Sequence, residues 1–231
     1  FQEAIFMFHR QKAQRRSSSS GPAVYANNPF ASTWARHYDL LLSLPPIGLI
    51  RRSEERTLKA LLERALRPTD AVLEVGPGTG RYTVELARRV AAVTAVEQSP
   101  QMAAQLKHRL ACEGAENCRV VLGGFMETSL EDGYDVVVCI GVLDYILEPE
   151  PFVARLAALT RRELILTAPC TGLLGRLFQL GNRLRHITVL TYTPSQVRCL
   201  LGGFIKTEVI ETGLPTRLWR GLNLACRAVR T

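Results

Sequence analysis

Short apolar runs alternate with amphipathic segments between residues 71 and 168, and this alternation constrains the fold more than any other feature of the chain. Runs such as VVVCI at 136–140 and LILTA at 164–168 lack polar alternation, which is typical of strands buried on both faces of a sheet. Strands that alternate with helices form a parallel sheet covered by helices. The sequence therefore predicts an α/β domain with a doubly wound sheet, whose ligands bind at the carboxyl ends of the strands.

Apolar periodicity and capping residues predict where the individual elements lie. Two helices are expected before the first strand, and two strands at the end of the chain. The full prediction comprises helices at 30–44, 53–67, 81–90, 100–113, 151–160 and 194–201, and strands at 71–75, 92–97, 119–123, 134–140, 163–168, 204–211 and 218–229.

Charge is unevenly distributed along the 231 residues, which carry a net charge of +8. Residues 171–231 contain nine arginines and lysines but only two acidic residues, and residues 1–22 are also basic. This asymmetry indicates an anionic partner or substrate on one side of the molecule. The six cysteines are scattered without a C-x-x-C pair, which argues against a zinc site, and we expect no metal.

The chain divides into a mobile basic tail, residues 1–29, and one domain, residues 30–231. Within the domain we expect N-terminal lid helices at 30–68, a ligand-binding core at 69–170, a substrate lid at 171–203 and the final strands at 204–231. The longest apolar run, Val136–Leu143, is too short to span a membrane. We therefore expect a cytoplasmic protein, with peripheral contact to an anionic membrane surface as an open alternative. The sequence does not predict the oligomeric state.

Three glycines follow the first predicted strand in the segment VLEVGPGTGRYT, at positions 76, 78 and 80. Glycines this close together mark a tight strand-to-helix turn whose backbone a ligand can approach. Glu97 ends the next predicted strand, where a carboxylate can bind both hydroxyls of a ribose. Arg81 stands where a dinucleotide site needs a small residue, and Glu74 would repel a pyrophosphate. The segment favours S-adenosylmethionine, whose sulfonium and ammonium groups are positive, over NAD.

Four motifs, VLEVGPGTGRYT, VTAVEQSPQM, GYDVVVCIGVLDYI and RELILTAP, occur in the order and spacing of the class I S-adenosylmethionine-dependent methyltransferases. The chain resembles this superfamily over residues 30–230, and within it the ubiquinone-type and magnesium-protoporphyrin-type O-methyltransferases. The resemblance implies a Rossmann-like, mostly parallel sheet of seven strands with N-terminal lid helices, and S-adenosyl-L-methionine as the cofactor.

The resemblance also implies which residues hold this cofactor. Glu97 would bind the ribose. The other implied positions are the glycine segment (Glu74, Gly76, Pro77, Gly78 and Gly80) around the methionine part, Gln98 and Met102 beside the adenine, and Cys139 and Gly141, just after the fourth strand, along the methionine part.

One position departs from the family pattern. Such families usually carry an acid after the third strand that binds the adenine amino group, but Gly124 stands at that place here. The backbone of Phe125 or the side chain of Glu127 would then make this contact.

Methyl transfer to a hydroxyl needs in-line positioning and the removal of a proton. Candidate bases are Asp144, just after the fourth strand, and His37 in the first helix, while Tyr38 would orient the acceptor, helped by Tyr25 or Tyr145. A carboxylate acceptor would need no base. The leucines and arginines of residues 172–186 favour a small, apolar, anionic acceptor, methylated at oxygen rather than nitrogen.

RNA is the main alternative acceptor, because the C-terminal quarter is basic. Amino-directed nucleic-acid enzymes usually carry an Asn/Asp-Pro-Pro-aromatic signature after strand four, whereas CIGVLDY stands there in this chain, so a nucleic acid is the less favoured partner. A lipid N-methyltransferase and a non-catalytic cofactor-binding module are further alternatives. The intact glycine segment and Glu97 argue against the last of these.

Overall fold

The computed structural model describes residues 47–131, 133–172, 190–213 and 220–230. The basic tail and the predicted helix 30–44, with Tyr25, His37 and Tyr38, lie outside the described residues. The leucine and arginine stretch 173–189 also lies outside them.

Seven strands form one sheet in the order β3-β2-β1-β4-β5-β7-β6. The strands from β1 to β5 pair in parallel, and β7 runs antiparallel to both β5 and β6. The predicted mostly parallel sheet of seven strands is therefore confirmed. The elements in chain order are α1 Ile47–Ala65, β1 Ala71–Val75, α2 Thr83–Ala87, β2 Ala92–Glu97, α3 Pro100–Cys112, β3 Cys118–Leu122, β4 Tyr134–Cys139, a 3₁₀ turn Leu143–Tyr145, α4 Pro149–Leu159, β5 Thr160–Pro169, α5 Pro194–Leu200, β6 Lys206–Gly213 and β7 Arg220–Val229.

Helix ends match the prediction where a capping side chain determines them. The Ser99 hydroxyl accepts a hydrogen bond from the Met102 amide, and Pro100 opens α3. A capping box between Thr193 and Gln196 opens α5 in the same way.

Two helices, α1 and α2, differ most from their predicted bounds. Helix α1 begins at Ile47 rather than at residue 53, because Ser53 is an interior helical residue whose carbonyl accepts from the Thr57 hydroxyl. Helix α2 spans five residues and not ten, because residues 77–82 remain in the glycine turn.

Each face of the sheet carries its own hydrophobic core. Helix α4 packs on the face that includes Leu73 and Val137, whereas α1 and α2 pack on the face of Val72 and Val136. Successive side chains of a strand point to opposite faces of the sheet. Each apolar run therefore contributes side chains to both cores. No helix within the described ranges is long and apolar enough to cross a membrane.

Two buried ion pairs lie at the amino-terminal part of β5. Arg162 donates to both carboxylate oxygens of Asp70, at 2.9 and 2.7 Å. Arg227 on β7 donates to both oxygens of Glu163, at 2.6 and 3.0 Å. Arg230 donates to the carbonyls of Ala157 and Thr160. Part of the C-terminal basicity is therefore used to hold strands and helices together, and not to meet an anionic partner.

Candidate active site

The glycine turn after β1 lies at the carboxyl edge of the sheet, and its three glycines have different roles. All three have positive φ, at 70°, 58° and 83° for Gly76, Gly78 and Gly80. A Cβ on Gly76 would overlap the side chain of Val142, and one on Gly80 would lie 2.5 Å from Leu106 Cδ1. Gly78 differs, because no described atom lies within 4 Å of where its Cβ would be. Only Gly78 leaves the open approach to a ligand that the sequence suggested for the whole turn.

Glu97 ties this turn to the end of β2. Its two carboxylate oxygens accept hydrogen bonds from the amides of Gly78, at 3.0 Å, and Ser99, at 2.8 Å. Burial raises the pKa of Glu97, although these hydrogen bonds oppose the rise. Each carboxylate oxygen can accept a further hydrogen bond, so the side chain is held ready for the hydroxyls of a ribose. Its ribose role stays a prediction.

Glu74 is a buried carboxyl group with an unsatisfied oxygen. The side chain is 3% exposed, and its Oε2 atom has no hydrogen-bond partner among the described residues. Burial raises the pKa of Glu74 to about 7, and the charge of Glu97 adds to the rise, whereas the Thr83 hydroxyl opposes it. A buried carboxylate without a balancing cation favours a positively charged ligand.

Gly141 follows β4 on the other side of the turn. It has a φ of 70°, its amide donates to the Thr167 hydroxyl at 2.8 Å, and no described atom would touch its Cβ within 4 Å. Cys139 is the last residue of β4 and not part of the following turn, and burial raises the pKa of its thiol. The open spaces at Gly78 and Gly141, together with the unsatisfied Glu74 carboxyl, fit a cationic cofactor such as S-adenosylmethionine.

The segment after β3 provides a carboxylate at the expected adenine end of this site. Gly124 occupies the position of the missing acid, and a Cβ there would overlap the Glu127 carboxylate. Glu127 therefore brings its side chain to the place that an acid at position 124 would fill. The Phe125 ring points into the core instead, with its centroid 5.1 Å from that of Phe152.

The two other residues predicted beside the adenine differ in exposure. Gln98, next to Glu97, is exposed to solvent, whereas Met102 is 3% exposed. Their contacts with an adenine stay predictions.

Asp144 lies in the 3₁₀ turn that follows β4, with Val142 of the same connection packed against the glycine turn. It is half-buried, and burial raises its pKa to about 7, with the charge of Glu54 on α1 adding to the rise. Asp144 is not the cap of α4, because Glu148 occupies that position. Its carboxyl group is therefore available for a proton at neutral pH.

Residues on both sides of the undescribed stretch meet next to Asp144. The Leu190 amide donates to the Asp144 carbonyl at 3.0 Å, and the Tyr192 hydroxyl donates to the Leu143 carbonyl at 3.4 Å. Tyr192 also forms a bridge with Cys170. Cys170, Leu190 and Tyr192 thus lie close to the turn that contains Asp144.

Sequence reasoning missed two long-range contacts of helix α1, one with the glycine turn and one with β7. Arg81 pairs with Glu55 on α1 at 2.8 Å and stacks on Tyr82, so it joins the first helix to the glycine turn. Asn223 on β7 donates to Glu54 at 3.0 Å. No local pattern indicates these contacts, because each joins residues far apart in the chain.

Replacing Glu74 with glutamine should remove part of the pH dependence of stability. A carboxyl group whose pKa is higher in the folded protein than its usual 4.5 binds more protons when folded, so stability falls as pH rises through the range up to about 7. Glu74→Gln should therefore raise the free energy of unfolding at pH 8 by about 2–3 kcal/mol and change it little at pH 4. Urea unfolding at both pH values measures this effect.

Glu131→Gln is the control for this change, since Glu131 is exposed and its partner in the described part of the chain is the exposed Arg119. It should leave the stability profile unaltered. An unchanged difference between pH 4 and pH 8 in Glu74→Gln would show that the pKa of Glu74 is not raised in the folded protein.

The middle part of the chain matches a known domain family. Residues 72–163 match a family described as "Methyltransferase domain". The chain is 33% identical over 102 residues to a probable dimethyladenosine transferase of Dictyostelium discoideum, a match that covers 43% of this chain and 32% of that protein. A dimethyladenosine transferase of Saccharomyces cerevisiae is 47% identical over 66 residues, or 28% of this chain and 21% of that protein. The chain thus spans at most a third of the length of these curated relatives.

The fold also resembles solved structures over most of its length. The magnesium protoporphyrin IX methyltransferase of Synechocystis, crystallised with bound SAH, aligns with a TM-score of 0.69 at 23% identity. The alignment covers 87% of this chain and 96% of that one. Residues 72–163 thus match a methyltransferase domain, and the seven-stranded sheet has the fold of this solved methyltransferase structure.

Proposed function

We propose that the chain transfers a methyl group from S-adenosylmethionine to an oxygen atom of a small, apolar molecule. S-adenosylmethionine supplies a methyl group that its positive sulfur has already activated. Glu74, Gly78, Glu97 and Gly141 would hold the cofactor. The chemical work left to the protein is to orient the acceptor and, for a hydroxyl, to take up its proton.

The carboxyl group of Asp144 is the observation that carries this proposal. It belongs to the connection whose Val142 packs against Gly76, and its pKa of about 7 suits a base that must gain and lose a proton near neutral pH. The acceptor side around it contains Leu143, Leu190 and Tyr192, which are buried or partly buried and suit an apolar molecule. The arginines that would favour an anionic acceptor, Arg176, Arg183 and Arg185, lie outside the described residues, so a negative group on the acceptor rests on the sequence alone.

Adenosine in RNA is the second candidate acceptor, because the curated relatives are named dimethyladenosine transferases. The two matches described above cover 43% and 28% of this chain, and the end of β4 with the turn after it reads CIGVLDY. Arg227 of β7 and the following Arg230 are engaged within the fold. These observations favour the small acceptor over RNA.

A methyl-transfer assay with labelled cofactor should distinguish the two candidate acceptors. We expect methyl transfer to members of a panel of apolar phenols and hydroxylated acids, with little change between low and high salt. Transfer to total RNA, falling steeply with salt because each phosphate contact releases a counterion, would establish the RNA function instead. Amines belong in the panel, because transfer to them alone would place the reaction at nitrogen.

Glu97→Ala serves as the control in every arm of this experiment. Loss of the Glu97 carboxylate releases the Gly78 amide and removes the ribose contact, so cofactor affinity should fall by about 1–3 kcal/mol. Label transfer that persists unchanged in Glu97→Ala would show that the reaction does not come from this site.

A further inference from the structure

The segment after β3 is held in one shape by contacts with its own backbone. The carbonyl of Gly124 accepts hydrogen bonds from the Glu127 and Thr128 amides, at 3.2 and 3.0 Å, and from the Thr128 hydroxyl, at 2.7 Å. This turn places the Glu127 carboxylate beside the Gly124 Cα, where a Cβ would otherwise lie. Glu127 is exposed, so packing of its own side chain does not hold it there.

Arg155 on α4 holds this turn in place through hydrogen bonds to its backbone. Its guanidinium donates to the carbonyls of Met126, at 3.2 Å, and Thr128, at 2.6 Å. The same guanidinium lies 5.2 Å from the centroid of the Phe125 ring. Arg155 thus contacts residues 125, 126 and 128, on both sides of Glu127. A planar group with several fixed donors can bridge two carbonyls and stack on a ring at once, which a lysine cannot do.

We propose that Arg155 is a positioning residue for the nucleobase of the cofactor: by fastening the Gly124–Thr128 turn, it holds the Glu127 carboxylate where an exocyclic amino group donates to it. This inference rests on the proposed binding of S-adenosylmethionine. Arg155 itself does not touch the ligand. Its effect is on selectivity between a base with an amino group and a base with a carbonyl group at the same position.

Two cofactor products provide the test, because their bases differ at this position and in the proton on the adjacent ring nitrogen. S-adenosylhomocysteine carries the amino group, and S-inosylhomocysteine carries a carbonyl that would face the Glu127 carboxylate. Calorimetry with the full chain should show that the first binds about tenfold more tightly or better, as a hydrogen bond to a charged group requires. Glu127→Gln should abolish this preference, because an amide can donate to the carbonyl as well as accept from the amino group.

Arg155→Met should reduce the preference to about twofold or less, and Arg155→Lys should retain an intermediate value because it keeps one donor. Val153→Ala is the control, since Val153 is a core residue of the same helix, 1% exposed, whose side chain can donate no hydrogen bond to the turn. It should lower the melting temperature and leave the nucleobase preference intact. The ratio of the two affinities, rather than either affinity alone, is therefore the decisive measurement.

An unchanged ratio in Arg155→Met would overturn the positioning role and leave Arg155 as a structural residue. Equal affinities of the wild-type protein for both compounds would overturn the role of Glu127 and the inference with it. Failure of the wild-type protein to bind either compound is a different result, because it would reject the proposed cofactor binding itself.

Discussion

Replacing Asp144 with asparagine should slow methyl transfer to a hydroxyl acceptor by about 10²- to 10⁴-fold, the contribution expected of a positioned general base. Asparagine keeps the size of the side chain but cannot take up a proton. Because the pKa of Asp144 is raised to about 7, kcat/KM of the wild-type enzyme should rise with pH, reach half of its maximum near pH 7 and level off above it. The variant should lose this rise. Initial rates between pH 5 and pH 9 measure both effects.

Binding of S-adenosylhomocysteine should be almost the same in Asp144→Asn, since the residues proposed to hold the cofactor are untouched. Glu148→Gln is the matched control, because Glu148 is an exposed carboxyl four residues further along the chain whose side chain makes no capping hydrogen bond. It should retain the wild-type rate and pH profile. If Asp144→Asn also retained both, the reaction would need no base at this position, as expected for a carboxylate acceptor.

Replacing Asp70 with alanine should reduce the free energy of unfolding by about 3–5 kcal/mol, because it leaves the charge of Arg162 buried without its main partner. The Asp70 and Arg162 side chains are only 2% and 16% exposed. Asp70 also accepts from the Arg67 amide at 2.7 Å, so one carboxylate closes the turn before β1 and binds the start of β5. Urea unfolding, followed by circular dichroism, measures the loss.

Glu113→Ala provides the comparison, since the pair between Glu113 and Arg88 is short, at 2.6 Å, but exposed. Its removal should cost about 0–1 kcal/mol. The double variant Asp70→Ala, Arg162→Met should recover much of the lost stability, because no unpaired charge remains buried. A loss in Asp70→Ala no larger than that in Glu113→Ala would show that the buried pair contributes little.

Much of the fold could be predicted because its signals are local. The runs VVVCI and LILTA indicate buried strands, and the caps at Ser99 and Thr193 determine where helices begin from contacts within four residues. The G-x-G-x-G spacing likewise predicts a tight turn, since positive φ is a property of single residues. The antiparallel place of β7 between β5 and β6 follows from pairing over long distances along the chain.

The candidate site also combines features that local sequence signals predict with features that depend on contacts between distant residues. The sequence by itself determined that Glu74, Glu97 and Asp144 end or follow strands, because the elements are local and the carboxyl ends of parallel strands share one edge. Only the tertiary structure decided that Gly76 packs against Val142, that Glu127 occupies the space above Gly124, and that Arg155 fastens that turn. It also decided the raised pKa values of Glu74 and Asp144. Burial and contacts between distant residues cause these properties, and both arise only when the chain is folded.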